Sequence, residues 1–387
     1  YFYATPRYEG EDYRELIALT IEQGNPDDTV ICVYPWQVGY WRSYGGSVGP
    51  TARLLPEDHW GEIDQATLDG ALSKGHVWFP AHLALGGGLE TAVESYLAER
   101  AAPFMNSWYG TTTRLSAWAT IGTMEPIEID GVRVALPHPQ PGLLKLEGAA
   151  ASLKPVTAAN DVSGLSLEWV SDIQSPKLAA SIRLVDDLGQ IWSQHDYQPL
   201  GGSGWRSDAA GNEASSISTL WRGSDEIALL IPAGTPPGRY SVQVAVTLPD
   251  GSPLSMVRDP NGQASAALDL YQLEVDPASG RMDSSRLPIA QRDTVEMADG
   301  IRFLGYSVSS EPAVPGTLRK ISLFWASSAQ PQRDYTAFLQ LLDDRGVPVA
   351  GWEAPPGASF ATSRWQPGTL IRTQASVRVP ADLVDGR

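Results

Sequence analysis

The sequence predicts a mixed fold, a small Rossmann-like α/β domain followed by two tandem β-sandwich modules of immunoglobulin or jelly-roll type. Helix and strand signals alternate over residues 1–122, which indicates a small α/β sheet. After about residue 125 short alternating strands separated by turns replace the helical period, as is typical of β-sandwiches. Landmark residues then recur in one order. We therefore place the domains at 1–122, 123–280 and 281–387.

The α/β part contains three stretches with apolar residues on one helical face, around residues 13–21, 68–72 and 89–97. Asp64 is the expected cap of the second helix. The predicted strands are residues 29–34, 76–79, 104–109 and 114–118. Because strands that alternate with helices usually pair in parallel, we expect a largely parallel sheet.

The remaining residues contain one module twice. Residues 165–169 (LSLEW) match 321–325 (ISLFW), 184–189 (LVDDLG) match 341–346 (LLDDRG), 221–223 (WRG) resemble 365–368 (WQPG), and Ile231-Pro232 before Gly238-Arg239 matches Val379-Pro380 before Gly386-Arg387. The shared tryptophan predicts a core anchor on a strand, and Asp-Asp-x-Gly predicts a hairpin turn. The second copy stops where the alternating strand of residues 238–246 would begin, so we expect the chain to be a fragment of a longer protein.

The composition excludes several classes of function. The formal net charge of -17 repels phosphate backbones, so nucleic acid is not expected as a partner. The single cysteine, Cys32, forbids an internal disulfide and lies in an apolar run, where a buried and inert thiol is expected. No apolar run reaches the roughly 18–20 residues that a membrane span needs.

Several short motifs carry a resemblance to a known family. They are DYREL (12–16), DDTVI (27–31), YWRSY (40–44), HVWF (76–79) and Tyr96-Leu97, followed by DYTAF (334–338), LDDRG (342–346) and TSRWQPG (362–368). The first five resemble the soluble region after the last membrane helix of multi-spanning bacterial glycosyltransferases, which are similar to dolichyl-phosphate-mannose and aminoarabinose transferases. The last three resemble β-modules appended to such proteins in some bacteria. The resemblance covers most of the chain.

This resemblance implies a non-catalytic accessory region outside the cytoplasm, periplasmic or at the cell surface. In the family, sugar transfer uses an acidic residue in a loop between membrane helices, so no residue here inherits that role. The region would belong to a membrane-embedded parent chain and assist in binding a polyprenyl-phosphate sugar or a glycan acceptor. Tyr1-Phe2-Tyr3 would mark the membrane exit, since aromatic residues favour the interface.

A candidate ligand site follows the first predicted strand. Trp36, Tyr40 and Tyr44 recur every four residues, with Trp41 beside them. Ligands of open α/β sheets gather at such strand ends, and aromatic faces stack well on sugar rings. The alternative is an aromatic stripe that packs in the core. His82 follows the second predicted strand and is the best single histidine candidate, against the alternative of a plain surface histidine.

The sequence shows little sign of other chemistry. Gly86-Gly87-Gly88 precedes a helix whose free N–H groups could hold an anion, but Glu90 would compete with that anion for the helix dipole. No two of the five histidines have the i, i+4 spacing of a helical zinc pair, and there is no G-x-S-x-G elbow. We therefore expect no catalytic residue, metal or cofactor in this chain.

Two other functions stay open. The chain could be a secreted glycan-binding or adhesion protein with tandem β-sandwich modules, which a cleavable signal upstream of Tyr1 would indicate. It could also be a glycosidase, which requires two carboxyl groups roughly 5–10 Å apart in an aromatic-lined cleft.

Overall fold

The structure is a computed structural model that describes residues 13–45, 49–56, 60–129, 131–137, 141–152, 154–174, 176–202, 205–207, 220–258, 262–278, 284–308 and 314–381. These residues are mostly β, in several sheets, as predicted. The chain divides into two compact units, the first comprising Tyr1–Val156, Asp161–Ile231 and Arg239–Leu273 and the second Thr157–Asn160, Pro232–Gly238 and Glu274–Arg387. The expectations for Tyr1-Phe2-Tyr3 and for Gly386-Arg387 lie outside the described residues.

Helices occur in the α/β part of the first unit, as α1 (Tyr13–Gln23), α2 (Pro35–Tyr44), α3 (Glu62–Leu72) and α4 (Gly88–Ala98). α1 buries residues at the i, i+3, i+4 and i+7 positions of one helical face, namely Tyr13, Leu16, Ile17 and Thr20. α2 starts at Pro35, whose fixed φ and missing N–H suit the first helical position. Asp64 was expected to cap α3, but it lies in the first turn because the cap residue is Gly61.

One mixed sheet lies between these helices, with strands β1 (Thr29–Cys32), β2 (Thr51–Leu54), β3 (Val77–His82), β4 (Ala102–Tyr109) and β5 (Thr113–Ala119) in the order β2-β1-β3-β5-β4. β1 pairs in parallel with β2 and β3, whereas β5 pairs antiparallel with β3 and β4. The prediction of a largely parallel sheet is therefore wrong for the β4–β5 half. A short turn containing Gly110, at positive φ, joins these two strands, and so short a connection permits only antiparallel pairing.

Hydrophobic side chains fill both faces of this sheet. On one face α1 and α2 pack against Val30 and Trp78, and on the other α3 and α4 pack against Ile31 and Phe79. The first of these cores also contains three residues of the following β-module, which are Val162, Ala228 and Leu230. The α/β part and the first β-module therefore share one core within the first unit.

The first β-module has strands β6 (Met124–Ile127), β7 (Val132–Leu136), β8 (Gly142–Ser152), β9 (Val156–Thr157), β10 (Asp161–Ser171), β11 (Ala179–Val185), β12 (Ile191–Tyr197), β13 (Arg206–Ser207), β14 (Trp221–Ile231), β15 (Gly238–Thr247), β16 (Met256–Arg258), β17 (Ala264–Ser265) and β18 (Leu268–Asp276). One sheet has the order β13-β14-β10-β8-β7-β16-β17, with β6 paired to β8, and the other has the order β12-β11-β15-β18-β9. The sheets meet where β14 contacts β11 and β12. Trp169 on β10 is fully buried, which confirms it as a core anchor.

The second β-module has strands β19 (Gln291–Glu296), β20 (Ile301–Val308), β21 (Leu318–Ser327), β22 (Ala337–Leu342), β23 (Pro348–Ala354) and β24 (Leu370–Arg378). They form a four-stranded sheet in the order β19-β20-β21-β24 and a two-stranded sheet of β22 and β23. The core of this module contains Trp325 on β21 and Trp365 just before β24, with Leu339 of β22 packed against it. The two tryptophans matched in the sequence, Trp169 and Trp325, are therefore both core residues.

The two Asp-Asp-x-Gly segments form the same turn. Asp186 joins β11 to β12, and its Oδ1 accepts the N–H groups of Leu188 at 3.0 Å and Gln190 at 2.8 Å. Asp343 joins β22 to β23 and accepts the N–H groups of Arg345 at 2.9 Å and Val347 at 2.8 Å. In both turns the glycine has a left-handed φ, 79° and 78°, a conformation that other residues rarely adopt. The predicted hairpin chemistry is therefore confirmed in both modules.

The sequence match of Trp221 with Trp365 does not align equivalent positions of the two modules. Trp221 is half-buried at the start of β14, whereas Trp365 precedes β24, is fully buried and donates its indole N–H to the Phe360 carbonyl at 3.1 Å. Trp205 resembles Trp365 more closely, because it is also buried and also lies in the segment before the matching strand, β14. The sequence match failed because Trp221 continues a strand while Trp365 belongs to the loop before one.

Asp225 on β14 provides a pH test of the first β-module. Burial raises the pKa of this carboxyl from 3.8 to about 6, although the hydrogen bond from the Leu200 N–H lowers it. The folded state thus binds the proton more tightly than the unfolded chain. The contribution of Asp225 to stability is therefore present below about pH 4 and is lost as the pH rises through 6.

We expect Asp225→Asn to remove this pH dependence. Relative to the native chain, the variant should gain up to about 2 kcal/mol in the free energy of unfolding between pH 4 and pH 7. Urea unfolding at the two pH values measures the difference, and Asp187→Asn, at an exposed position of the β11–β12 turn, is the control. Identical pH dependence in Asp225→Asn and the native chain would contradict the assignment.

Candidate functional site

The candidate site lies at the carboxyl ends of β1 and β3. These strands are parallel neighbours, so their carboxyl ends meet at the same edge of the sheet, where α/β proteins bind ligands. Tyr34 follows β1 and leads into α2, and His82 is the last residue of β3. The rings of these two residues meet edge to face, with centroids 6.1 Å apart.

The structure brings four of the five predicted site residues into one group of rings. We call this group the aromatic cluster, and its members are Tyr13, Tyr34, Trp36, Tyr40, Tyr44 and His82. Trp36 is stacked on Tyr34 at 5.8 Å and meets His82 edge to face at 5.2 Å. Tyr40 is stacked on Tyr13 at 5.3 Å and on Tyr44 at 6.1 Å. Such offset and edge-to-face contacts stabilise aromatic pairs beyond their buried area.

The members of the cluster differ in their exposure. Trp36 and Tyr40 are each 39% exposed, so their rings are available to a ligand. His82 is buried, and its Nδ1 lies 3.3 Å from the Thr113 hydroxyl. The cluster therefore presents two exposed rings above the buried rings of Tyr13 and His82.

Trp41, the fifth predicted residue, meets the Tyr13 ring edge to face with centroids 6.0 Å apart, but it lies on the core side of that ring. It is 4% exposed and belongs to the core that α1 and α2 form with the sheet. One residue along a helix rotates the side-chain direction by about 100°, which takes Trp41 away from the face of Trp36 and Tyr40. Packing in the core, the alternative considered for the aromatic stripe, therefore describes Trp41 but not the two exposed rings.

A buried amide fixes the base of the cluster. Gln37, in the first turn of α2, is fully buried. Its Oε1 accepts the N–H groups of Val33 at 2.9 Å and Tyr34 at 3.0 Å. Its Nε2 donates to the Pro80 carbonyl at 2.8 Å and to the Tyr13 hydroxyl at 3.2 Å. One side chain thus links the end of β1 to β3, to α1 and to α2.

Glu90 adds a carboxylate next to the cluster. It lies in the first turn of α4, is 1% exposed and lies near the Tyr34 hydroxyl. Burial, and then the proximity of the Glu90 carboxyl, raise the pKa of Tyr34. The Oε1 atom of Glu90 has no hydrogen-bond partner among the described residues. An acidic side chain in the first turn already interacts with the helix dipole, so it disfavours the binding of an anion there.

The glycines before α4 form a turn. Gly86 and Gly87 have left-handed φ values of 100° and 67°, which explains why glycine is found at both positions. Because Glu90 already lies in the first turn, the structure favours the loop interpretation of Gly86-Gly87-Gly88 over an anion site. In the part of the chain that the structure describes, no group of three or more His, Cys, Asp or Glu residues could hold a metal ion.

Sequence reasoning missed three members of the neighbourhood, Tyr13, Tyr34 and Glu90. The sequence places Tyr13 only on a helical face, and it identifies Glu90 only as a charge that competes with an anion. Tyr34 offered the clearest signal, because an aromatic residue directly after a buried strand and two residues before Trp36 falls at the same sheet edge.

The different positions of Trp36 and Trp41 predict different costs of truncation. Trp41→Ala should lower the free energy of unfolding by about 3–5 kcal/mol, because it leaves a large cavity in a packed core. Trp36→Ala should lower it by about 1–2 kcal/mol, because the ring contacts four others but is partly exposed. Urea unfolding followed by near-ultraviolet circular dichroism measures both. Equal losses in the two variants would contradict the assignment of Trp36 to an exposed platform.

Comparisons with known proteins do not assign the chain to a family. No protein-family model and no curated protein sequence matches it. Among solved structures it is similar to a bacterial adhesin from Mobiluncus mulieris that contains intramolecular disulfide, isopeptide and ester bond cross-links. That similarity has 8% sequence identity, covers 58% of this chain and 95% of the adhesin, and has a TM-score of 0.19, so it supports no inference about function. No helix within the described ranges is long and apolar enough to cross a membrane.

Proposed function

We propose that this chain is a non-catalytic, extracytoplasmic carbohydrate-binding region and that the aromatic cluster is its binding site. The observation that carries the proposal is the pair of exposed rings, Trp36 and Tyr40, fixed at the carboxyl edge of the sheet. The apolar C–H face of a sugar ring can stack on such rings. Binding at the carboxyl ends of the strands would be the feature that this α/β part shares with Rossmann-like folds.

Preorganisation supports the proposal. Tyr13, Tyr34 and His82 contact the two exposed rings from below, and Gln37 links the elements that bear them. A platform that is already ordered loses little conformational entropy when a ligand binds, so more of the contact energy becomes affinity. Glu90 acts as a positioning residue, because it is buried and its contact with the cluster is through Tyr34.

Charge favours a neutral ligand over a phosphate. The chain carries a formal net charge of -17, which disfavours the approach of anions. Glu90 also occupies the helix start that could otherwise hold a phosphate. We therefore favour a glycan acceptor over the phosphate group of a polyprenyl-phosphate sugar as the bound species.

The resemblance to glycosyltransferase C-terminal regions supplies the proposed context. In that context the region projects from a membrane-embedded parent chain and holds a glycan near the transferase. A secreted glycan-binding adhesion protein would use the same platform. The ligand distinguishes these two contexts. An accessory region of a transferase should bind the sugar part of a lipid-linked donor as well as a free glycan, whereas an adhesion protein needs to bind only the glycan.

The test is a binding screen on residues 1–387 with neutral oligosaccharides and with a short-chain polyprenyl-phosphate hexose in detergent micelles. Trp36→Ala and Tyr40→Ala should each weaken binding about tenfold or more, since buried aromatic anchors at an interface contribute more than about 1.4 kcal/mol. The matched control is Trp108→Ala, which removes another exposed tryptophan, on β4 and outside the cluster.

Two results would contradict the proposal. If no sugar of either class binds the folded chain, the region has no carbohydrate site of this kind. If a sugar binds and its affinity is the same in Trp36→Ala, Tyr40→Ala and Trp108→Ala, the site lies elsewhere than the aromatic cluster.

A further inference from the structure

The inference concerns β22 in the second β-module, which corresponds to β11 in the first. Each strand runs into an Asp-Asp-x-Gly turn, and each pairs antiparallel with the strand after that turn. Alignment on the turns makes Gln340 the counterpart of Arg183 and Leu341 the counterpart of Leu184. The first module therefore shows how a strand at this position is normally covered.

The two strands differ in their pairing. β11 has two neighbours, because it pairs with β12 on one side and with β15 on the other. Among the described residues, β22 pairs with β23 alone. The second edge of β22 therefore presents backbone N–H and C=O groups that no described strand satisfies.

The inward-facing residues of β22 show the lack of cover. In β11 the three inward positions, Ala180, Ile182 and Leu184, are almost completely buried. Their counterparts in β22 are more exposed, since Ala337 retains 9% of its surface and Leu339 and Leu341 are only half-buried. The inward positions of β22 are therefore apolar, as in β11, but they are less completely covered by neighbouring residues.

The composition of β22 is that of a covered strand. Its sequence, AFLQLL, contains no charged residue and no proline. Natural edge strands usually carry such residues, because they prevent unwanted pairing with other chains. Two of its outward residues are also apolar and exposed, Phe338 at 71% and Leu342 at 51%. An uncharged strand with an open edge is suited to accept another strand.

We propose that the open edge of β22 is the acceptor site for one antiparallel polypeptide strand with the chemistry of β15. That chemistry is an alternation in which every second residue is apolar and buried, at Tyr240, Val242, Val244 and Val246. In the first module Val242 lies opposite Leu184 and Val244 opposite Ile182. In the second module the same register would place these valines opposite Leu341 and Leu339.

Register-specific cross-linking tests the proposal. The probe is a synthetic peptide of residues 238–247 (GRYSVQVAVT) with Gln243→Cys, added to the whole chain carrying Gln340→Cys. Gln243 lies opposite Arg183 in the first module, so the two new cysteines would be directly opposed. Opposed residues of antiparallel strands lie about 4.5–5.5 Å apart, within reach of a disulfide. The native Cys32 is buried and its pKa is raised to about 12, so it does not compete.

The controls move the cysteine by one residue or to the other strand of the same hairpin. Peptides with Val242→Cys or Val244→Cys place the thiol on the opposite face and should cross-link at least tenfold more slowly. The chain variant Glu353→Cys carries an equally exposed thiol on β23 and should react no faster than these controls. A peptide N-methylated at alternate residues should lose the reaction when the methylated set faces β22, because those backbone donors are removed.

Three results would overturn the proposal. Equal rates for the three cysteine positions would show that no register is selected. Equal rates for Gln340→Cys and Glu353→Cys would show that β22 is not the preferred edge. If Gln340→Cys chains cross-link to each other and the unmodified peptide does not compete, the occupant is a second copy of the chain rather than a strand of β15 chemistry.

Discussion

The buried amide of Gln37 is the constraint on which the α/β part depends. It saturates the two backbone N–H groups where β1 ends, and it binds one carbonyl of β3 and one hydroxyl of α1. Without such a partner the chain could not turn from a buried strand into α2, because unsatisfied backbone groups in a core are costly. The same side chain thus helps to hold Trp36 and Tyr40 at the sheet edge, together with the packing of Val38 and Trp41 in the core.

Patterns confined to neighbouring residues could be predicted from the sequence. The spacing of Tyr13, Leu16 and Ile17 indicated α1, and the Asp-Asp-x-Gly segments indicated the hairpin turns. Both features depend on contacts within about one turn of chain. The β4–β5 hairpin departs from the expected largely parallel sheet because the tight turn at Gly110 makes its strands antiparallel. Trp221 was matched to Trp365 because letter identity does not distinguish a strand residue from a loop residue.

The candidate site shows the same division. The spacing of four residues between Trp36, Tyr40 and Tyr44 predicts that they share one helical face. The position of His82 at a strand end predicts that it lies at the same edge of the sheet. Tyr13 and Glu90 belong to other segments, and only the tertiary fold brings them near the rings. Helical spacing puts Trp41 on a different face from Trp36 and Tyr40, but only the tertiary fold shows that this face is buried in the core.

The shared Asp-Asp-x-Gly turn also has a kinetic consequence. It closes a hairpin between adjacent segments, so the entropy lost in loop closure is small and the hairpin can form in roughly 1–10 μs. The pairing of β10 with β14 brings together segments far apart in the chain and must form more slowly. Both modules therefore share their earliest folding step. Tandem copies with a common nucleus risk exchanging strands while they fold. β11 and β22 keep that risk, because their inward positions match: Ala180 aligns with Ala337, Ile182 with Leu339 and Leu184 with Leu341, so each hairpin could pair in place of the other.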